Sequence, residues 1–297
     1  MKKILLYLDL LYMVLIGNLL KAKIRFQLFF HFVKLSNEVE PHVVLSLTSY
    51  GDRVKNNSVS YTLFSLLMQK KRAERIVLWL GEDEFSDATI PSMLHRMKEL
   101  GVEVRYCKDI RSYTKIIPSI RQFPNDTIIT VDDDLYYSSN LVEEMVRQMH
   151  LHPNCIIAEG VWLPKFTSDG SFAPYKEWKR YHNVKKNIEY NKMLAMPLGV
   201  YGILYPSHIF DDEVLNMDVA LELSPRADDL WLYIMGLRCG IQKILVPESH
   251  VKYYNIDLVR QVLTHDRLFD TNVGQEQNDV QLKKLIEHYD INVAELQ

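Results

Sequence analysis

Residues 127–134 read TIITVDDD, an apolar run that ends in three adjacent aspartates. Short strand-like runs recur along the chain as VVLSL at 43–47, IVLWL at 76–80, VEVRY at 102–106, CIIAE at 155–159 and IQKILV at 241–246. Helical patterns separate several of these runs; between the first two, Val59, Leu63 and Leu66 recur at the spacing of one helix face. Strands that alternate with helices predict an α/β fold with a mostly parallel sheet covered on both faces.

The overall composition is that of a globular protein and excludes several classes. The chain has 297 residues, of which 47% are hydrophobic and 25% are charged, and this excludes a disordered, collagen-like or polytopic membrane protein. The net charge of -3 provides no overall basic field, so we expect no nucleic-acid partner. Cys107, Cys155 and Cys239 lie far apart without the spacing of a zinc site, which favours a reducing compartment.

The first 37 residues form a basic and apolar segment that differs from the rest of the chain. Residues 4–20 read ILLYLDLLYMVLIGNLL, a run of 17 residues interrupted by Asp9 and Asn18, whereas a spanning helix needs about 20 apolar residues. Residues 1–37 contain six basic residues and one acidic residue, and a second apolar patch lies at 26–33. This pattern is typical of a helix lying on an anionic membrane surface, here the cytoplasmic inner face of the cell membrane. The alternative is a helix packed on the protein's own domain.

The aspartates at 132–134 suggest a metal site. Because side chains alternate along a strand, Asp132 and Asp134 are expected to point the same way. Adjacent carboxylates repel one another, and a hard cation such as Mg²⁺, which prefers oxygen ligands, would relieve the repulsion. The chain contains neither of the glycine-rich phosphate-binding motifs, which excludes P-loop ATPases and dinucleotide dehydrogenases. The alternative is a solvated acidic turn that begins a helix.

Five blocks in unbroken order resemble the bacterial glycosyltransferases of the GT-A type, family-2-like, which build capsule, lipopolysaccharide and other cell-surface polysaccharides. The blocks are VVLSLTSYGDR at 43–53, IVLWL at 76–80, SYTKIIPSIRQFPNDTIITVDDD at 112–134, PLGVYGILYP at 197–206 and SPRADDLW at 224–231. The resemblance implies a single Rossmann-like GT-A domain at 38–297, after the membrane-associating segment at 1–37. It also implies a nucleotide-diphosphate sugar donor, with a UDP-sugar favoured, a saccharide or lipid-linked acceptor, and Mn²⁺ or Mg²⁺ as the cofactor.

The resemblance implies residues for the metal and the donor. Asp134 and Asp132 would ligate the metal ion, and Asp132 would also contact the ribose or the sugar. A histidine would complete the metal shell, with His250 as the first candidate and His265 as the alternative. Together with the cations and glycines of the same blocks, the candidate donor-binding residues are Thr48, Ser49, Tyr50, Arg53, Lys115, Asp132, Asp133, Gly199 and Gly202.

A second acidic pair, Asp228 and Asp229, lies where Ser224 and Pro225 predict the start of a helix. The resemblance implies that this pair holds the catalytic base of an inverting transfer, and we assign the role to Asp229 with Asp228 as the alternative. Such a base accepts the proton of the acceptor hydroxyl. The positive end of the helix predicts a lowered pKa for Asp229 and hence an ionised carboxylate at neutral pH. A simple helix cap is the other interpretation.

A long insertion is expected at about 160–196, because the alternating pattern weakens there and long ordered loops are often functional. Its aromatic residues Trp162, Trp178 and Tyr181 are candidates for stacking on acceptor sugar rings. Alternatively, they pack a small core within the insertion. A C-terminal helical tail is expected at about 265–297.

Taken together, these features favour a metal-dependent glycosyltransferase. One alternative is another metal-dependent transferase, such as a nucleotidyltransferase, which also uses closely spaced aspartates. The other is a membrane-attached binding protein whose catalytic site has decayed.

Overall fold

A computed structural model of the protein describes residues 2–186, 188–258 and 277–297, with the backbone alone for residues 2–9. The strands are β1 Val39–Thr48, β2 Arg72–Gly81, β3 Val102–Cys107, β4 Thr127–Thr130, β5 Leu135–Tyr137, β6 Ile156–Ala158, β7 Gly160–Leu163, β8 Lys179–His182, β9 Met196–Pro197, β10 Ile203–Tyr205, β11 Lys243–Leu245 and β12 Tyr253–Asn255. The helices are α1 Lys2–Phe29, α2 Gly51–Lys55, α3 Ser58–Leu67, α4 Ser92–Glu99, α5 Ile117–Gln122, α6 Leu141–Leu151, α7 Met217–Leu223, α8 Asp228–Arg238 and α9 Gln277–His288. Short 3-10 helices occupy Arg111–Lys115, Tyr175–Glu177, Gly199–Tyr201, Asp212–Leu215 and Val293–Leu296.

The central sheet has the strand order β11-β6-β10-β4-β1-β2-β3. Adjacent strands in this sheet are parallel, except that β10 is antiparallel to both β4 and β6. The predicted α/β fold with a mostly parallel sheet is therefore confirmed. Because β10 runs antiparallel to both β4 and β6, these two strands point the same way, and β1, β4, β6 and β11 all end at the same edge of the sheet.

Alternate residues of the central strands enter different cores. Leu45 and Leu47 of β1 lie in a cluster with residues of α3, α4 and α6, whereas Val44 packs with Trp79 and Ile128 in a separate cluster. Every residue of α3 is buried, which agrees with the apolar helical spacing seen in the sequence. Apolar packing on both faces explains why these strands read as continuous apolar runs.

Two strand predictions need correction. The run at 241–246 is the last one that the sequence analysis identifies and it forms β11, but a further strand, β12, follows it and pairs antiparallel with β5. The insertion predicted at 160–196 is not a loop throughout, since β7, β8 and β9 form a three-stranded antiparallel sheet within it. In the predicted tail, helix α9 is present, and the part before residue 277 lies outside the described residues.

Helix α1 packs against the rest of the domain along one face. Gly17 is buried, and a Cβ at this position would lie 2.7 Å from the backbone oxygen of Asn255. Ile24 is buried in the core, and the Nε of Arg25 donates a hydrogen bond to the Tyr61 hydroxyl at 2.6 Å. The alternative interpretation of the N-terminal segment, a helix packed on its own domain, therefore describes this face correctly.

The opposite side of α1 and the turn after it expose large apolar side chains. They are Leu11, Tyr12, Met13, Leu15, Leu19, Phe26, Phe29, Phe30 and Phe32. In the described part of the chain, no helix combines the length and the apolar character needed to cross a membrane.

Candidate active site at the carboxyl edge of the sheet

The two strand ends that the sequence singles out lie next to each other. Strands β1 and β4 are parallel neighbours, so Thr48 and Ser49 lie at the same sheet edge as Asp132. The hydroxyl of Thr48 donates a hydrogen bond to the Trp79 backbone oxygen at 3.0 Å. That bond ties the end of β1 to β2 and occupies the hydroxyl hydrogen of Thr48.

Asp133 anchors the loop after β4. Its side chain is buried, its Oδ2 accepts a hydrogen bond from Ser49 Oγ at 2.5 Å, and its Oδ1 pairs with Arg53. Its backbone oxygen accepts a further bond from Thr62 Oγ1 at 2.9 Å. Burial raises the pKa of Asp133, while Arg53 and Ser49 act in the opposite direction. Because protein groups engage both carboxylate oxygens, these contacts indicate an anchoring residue and do not support the predicted donor-binding role of Asp133 or of Ser49.

Asp134, the last residue of this loop, lies close to Arg53 of α2. The Nη1 of Arg53 lies 3.4 Å from Asp134 Oδ2, and its guanidinium carbon lies 5.4 Å from the ring centroid of the exposed Tyr50. Burial and the charge of Asp133 raise the pKa of Asp134 to about 7, although Arg53 works against this rise. The carboxylate is thus crowded by like charge, and a cation at this place would favour its ionised form.

Lys115 connects the two acidic groups that the sequence places almost 100 residues apart. Its side chain is buried, and its Nζ lies 3.3 Å from Asp132 Oδ1 and 3.0 Å from Asp228 Oδ2. The hydroxyl of Ser46 in β1 donates to the Lys115 backbone oxygen at 2.5 Å and so holds this residue beside the sheet. Burial lowers the pKa of Lys115, but the carboxylates of Asp132, Asp228 and Asp229 raise it well above its usual value. Lys115 therefore stays charged inside the site.

Asp228 and Asp229 are the first two residues of α8, which confirms the predicted helix start to within a few residues. Asp229 Oδ2 accepts a hydrogen bond from the Gly199 backbone N–H at 3.1 Å, whereas its Oδ1 is buried without a hydrogen-bond partner among the described residues. Burial and the charge of Asp228 raise the pKa of Asp229 to about 7, despite the opposing effect of Lys115. The expected lowering by the helix end is therefore wrong, because desolvation outweighs the dipole.

Gly199 and Gly202 serve different purposes. A Cβ at Gly199 would lie 2.8 Å from Asp229 Oδ1 and 3.0 Å from Lys115 Nζ, so a larger residue here would displace these two side chains. Gly202 has φ +106, a conformation that other residues rarely adopt, and it begins the turn into β10. Gly199 thus belongs to the site, while Gly202 shapes the chain beside it.

The carboxylates suit a metal ion that is also held by substrate oxygens. Among the described residues, no three His, Cys, Asp or Glu side chains are grouped so as to hold a metal ion. Asp132 and Asp134 nevertheless supply oxygen ligands at one strand end, with side chains 33% and 19% exposed. Mg²⁺ commonly takes one or two carboxylates and completes its shell with phosphate oxygens and water, which agrees with this donor set.

The histidine predicted to complete the metal shell lies elsewhere. The His250 side chain is 78% exposed, and its Nδ1 lies 3.5 Å from Glu144 on α6. Its backbone N–H also donates to Glu144 Oε2 at 3.0 Å. These contacts place His250 in a turn tied to α6 and do not support its role as a metal ligand. His265 lies outside the described residues.

The three candidate acceptor aromatics have different positions. Trp178 is 3% exposed, donates its indole N–H to the Ala173 oxygen at 2.9 Å, and packs on neighbouring rings. It belongs to the core of the insertion, so its predicted acceptor-stacking role is wrong for this structure. Trp162 and Tyr181 are partly exposed and lie on opposite faces of the insertion sheet.

The structure adds two tyrosines that the sequence analysis did not single out. The Tyr137 hydroxyl accepts from the Asp132 backbone N–H at 3.0 Å and donates to the Val200 oxygen at 2.9 Å, joining the loop after β4 to the Gly199 segment. Tyr175 lies close enough to Asp229 for this carboxylate to contribute, after burial, to its raised pKa. No sequence signal marks either residue, because both look like ordinary core aromatics.

Comparison with protein-family models and with curated proteins finds no match for this chain. The site combines carboxylates suited to a divalent cation, a buried lysine that carries a fixed positive charge, and an aspartate that changes protonation near neutral pH.

Proposed function

We propose that this protein is a divalent-metal-dependent glycosyltransferase that moves a sugar from a nucleotide-diphosphate sugar to a saccharide or lipid-linked acceptor. The observation that carries the proposal is the contact of Lys115 with both Asp132 and Asp228. This contact unites a candidate metal and donor group with a candidate base in one site. The order of the sequence blocks that resemble GT-A enzymes supports the same function.

The proposed reaction inverts the anomeric centre. The acceptor hydroxyl oxygen attacks the anomeric carbon, and the bond from that carbon to the diphosphate oxygen breaks. The nucleoside diphosphate leaves with the bonding electrons, while Asp229 accepts the proton of the acceptor hydroxyl. The orphaned Oδ1 of Asp229 is the oxygen that we assign to this proton, because Oδ2 is held by the Gly199 N–H.

The leaving diphosphate gains negative charge, and the site offers positive charge in fixed positions. Lys115 would stabilise the departing group without reorganisation, since Asp132 and Asp228 already hold its ammonium in place. Asp132 and Asp134 would hold Mn²⁺ or Mg²⁺, which when bound neutralises diphosphate charge as a Lewis acid. The exposed ring of Tyr50 offers a stacking surface for the nucleobase of the donor. UDP-sugars are the favoured donors.

We further propose that the protein associates peripherally with the inner face of the cell membrane through α1. Nine of the large exposed hydrophobic side chains lie at 11–32. Exposed Lys23 lies among them and suits anionic headgroups. A lipid-linked acceptor would be available at such a surface.

The function is tested by measuring release of nucleoside diphosphate from a panel of nucleotide-sugars, with Mn²⁺ and with EDTA. Asp134→Asn should lower the Mn²⁺-dependent activity by about 100-fold or more, because the diphosphate loses part of its cation site. The matched control is Asp126→Asn at the opposite end of β4, where Asp126 contacts His42 at 3.1 Å.

Three results would contradict the proposal. One is full activity of Asp134→Asn in EDTA, and another is release of no nucleoside diphosphate from any donor. Release of sugar 1-phosphate instead, through cleavage of the bond between the two phosphates, would identify a nucleotidyltransferase.

A further inference from the structure

The insertion sheet presents an aromatic and basic face next to Asp229. Gly160, the first residue of β7, accepts a hydrogen bond from the Leu198 N–H at 2.9 Å, and the next residue, Gly199, donates to Asp229. The ring of Trp162 lies 5.4 Å from the ring of Tyr175, whose pKa is raised by burial and by Asp229. The insertion sheet is thus connected to Asp229 through residues 198 and 199.

Four side chains make up this surface, which we call the Arg180 face. They are Trp162, Arg180, His182 and Tyr201. In the antiparallel register, Trp162 lies opposite Arg180 and Gly160 lies opposite His182, so these side chains share one side of the sheet. The absence of a side chain at Gly160 leaves room for the Tyr201 ring, which stacks on His182 at 4.4 Å.

The Arg180 face offers one dominant positive charge over aromatic rings. Arg180 is exposed, and its guanidinium carbon lies 5.8 Å from the Trp162 ring centroid. Burial and Arg180 lower the pKa of His182, so the stacked imidazole is neutral at neutral pH. Arginine binds carboxylate and phosphate oxygens in a planar, bidentate manner, and the aromatic rings suit the apolar side of a sugar.

The net charge of the insertion is positive, which also favours an anionic ligand. Residues 160–196 contain seven lysines and arginines against three acidic residues, in a chain whose net charge is -3. Of those acidic residues, Glu177 is paired with Lys165 at 2.5 Å. The local positive field is therefore a property of this insertion and not of the protein surface as a whole.

We infer that the Arg180 face binds the acceptor, and that the acceptor is an anionic saccharide whose carboxylate or phosphate is held by Arg180. This inference rests on the proposed function for the identity of the ligand as an acceptor. It narrows the acceptor, which the proposed function leaves as a saccharide or lipid-linked molecule, to an anionic saccharide. Trp162 and Tyr201 contact the sugar rings, and the hydroxyl to be glycosylated points toward Asp229.

The test measures binding to the full-length protein without any donor. The probes are a disaccharide that ends in glucuronic acid, the matched disaccharide that ends in glucose, and N-acetylglucosamine linked to an isoprenyl diphosphate in detergent. The wild-type protein should bind at least one acidic probe about tenfold or more tightly than the neutral disaccharide, as a charge-assisted hydrogen bond implies. Which acidic probe binds shows whether the anionic group of the acceptor is the carboxylate of a uronic acid or a lipid diphosphate.

Two neighbouring substitutions distinguish binding at the Arg180 face from a general effect of positive charge. Arg180→Gln should abolish the preference for the acidic probe. Lys179→Gln removes the same charge one residue away, but Lys179 lies opposite Leu163 on the other face, with its Nζ 4.8 Å from the Tyr181 ring centroid. This control should retain the preference, and thermal melting should show both variants folded.

Several outcomes would overturn the inference. One is that the wild type binds acidic and neutral probes equally. Another is that Arg180→Gln and Lys179→Gln reduce the preference for the acidic probe equally. A third is that Arg180→Gln weakens binding to vesicles with 30% phosphatidylglycerol while the probe preference stays intact, because the face would then contact lipid. If donors release nucleoside diphosphate but the probes bind equally, this inference alone fails. If the preference is present and no donor is used, the proposed function fails instead.

Discussion

At the scale of single residues, Lys115 and Gly199 organise the site. Lys115 is buried between Asp132 and Asp228, so its desolvation is offset by two short-range ion pairs. Gly199 lets the backbone N–H reach Asp229 at 3.1 Å, which no larger residue would allow without displacing the carboxylate. Groups from three separate parts of the chain are thereby brought together in one site.

Replacement of Asp229 tests the base assignment. Asp229→Asn retains an oxygen for the Gly199 N–H but cannot accept the proton, so kcat should fall by about 10²–10⁴-fold. Donor affinity, measured by titration with the nucleotide-sugar and Mn²⁺, should remain near the wild-type value because Asp132 and Asp134 are untouched. Asp228→Asn is the matched variant and should reduce kcat less. If Asp228→Asn is inactive and Asp229→Asn is active, the assignment within the pair is reversed.

At the scale of elements, α1 has one face that packs on the domain and one face that is exposed. Gly17 and Ile24 pack against the domain, whereas Leu15 and Leu19 are 54% and 65% exposed on the other side. The packed-helix interpretation of the N-terminal sequence describes the first face, and the exposed face is the one to which we assign the proposed membrane contact. Removing the whole segment would also expose the core around Ile24, so a point substitution is the better probe of the outer face.

If α1 lies on a membrane as proposed, Leu19→Glu should weaken binding to vesicles that contain 30% phosphatidylglycerol by about tenfold or more, because it replaces an exposed apolar group with a charge. The control is Leu151→Glu at the end of α6, since Leu151 is also 65% exposed. Co-sedimentation with vesicles measures both variants. Equal loss in the two variants, or no vesicle binding by the wild type, would contradict the proposed membrane surface.

At the scale of the whole molecule, the insertion is joined to the sheet through a buried lysine. Lys243 of β11 has no exposed surface, and its Nζ donates a hydrogen bond to the Met193 oxygen at 2.7 Å. Burial lowers the pKa of Lys243 to about 7. In the unfolded chain, a lysine keeps its proton up to a pKa of about 10.4.

This difference predicts how the free energy of unfolding of the wild type depends on pH. Between about pH 7 and pH 10 the unfolded chain binds one more proton at Lys243 than the folded chain, so this residue makes stability rise with pH by about 1.4 kcal/mol per unit. Below pH 7 both states are protonated, and the full cost of burying the charge is present. Lys243→Met lacks this titration. Its stability relative to the wild type should therefore decrease by roughly 2–3 kcal/mol between pH 6.5 and pH 9.

Urea unfolding at the two pH values measures this change. Lys252→Met is the control, because Lys252 is exposed and its substitution should leave the pH dependence of the wild type intact. A parallel pH dependence of Lys243→Met and the wild type would show that Lys243 does not titrate on folding.

Much of the architecture could be predicted from local patterns. The apolar runs at 43–47, 76–80 and 127–131 became neighbouring parallel strands, because residues that are apolar on both sides can only be buried within a covered sheet. The aspartates after β4 were located correctly at a sheet edge for the same reason. The helix start at Asp228 was also predicted to within a few residues, since its signals are local.

What the sequence by itself determined was the type of each element and the edge where polar residues collect. Only the tertiary structure decided that β10 would run antiparallel between β4 and β6, that Lys115 would join two acidic groups, and that Trp178 would be buried. It also decided the pKa of Asp229, which rises where the helix end alone predicts a fall. The physical reason is the range of the interactions involved. Strand and helix patterns depend on neighbours a few residues away, whereas desolvation and ion pairing depend on side chains that only folding brings together.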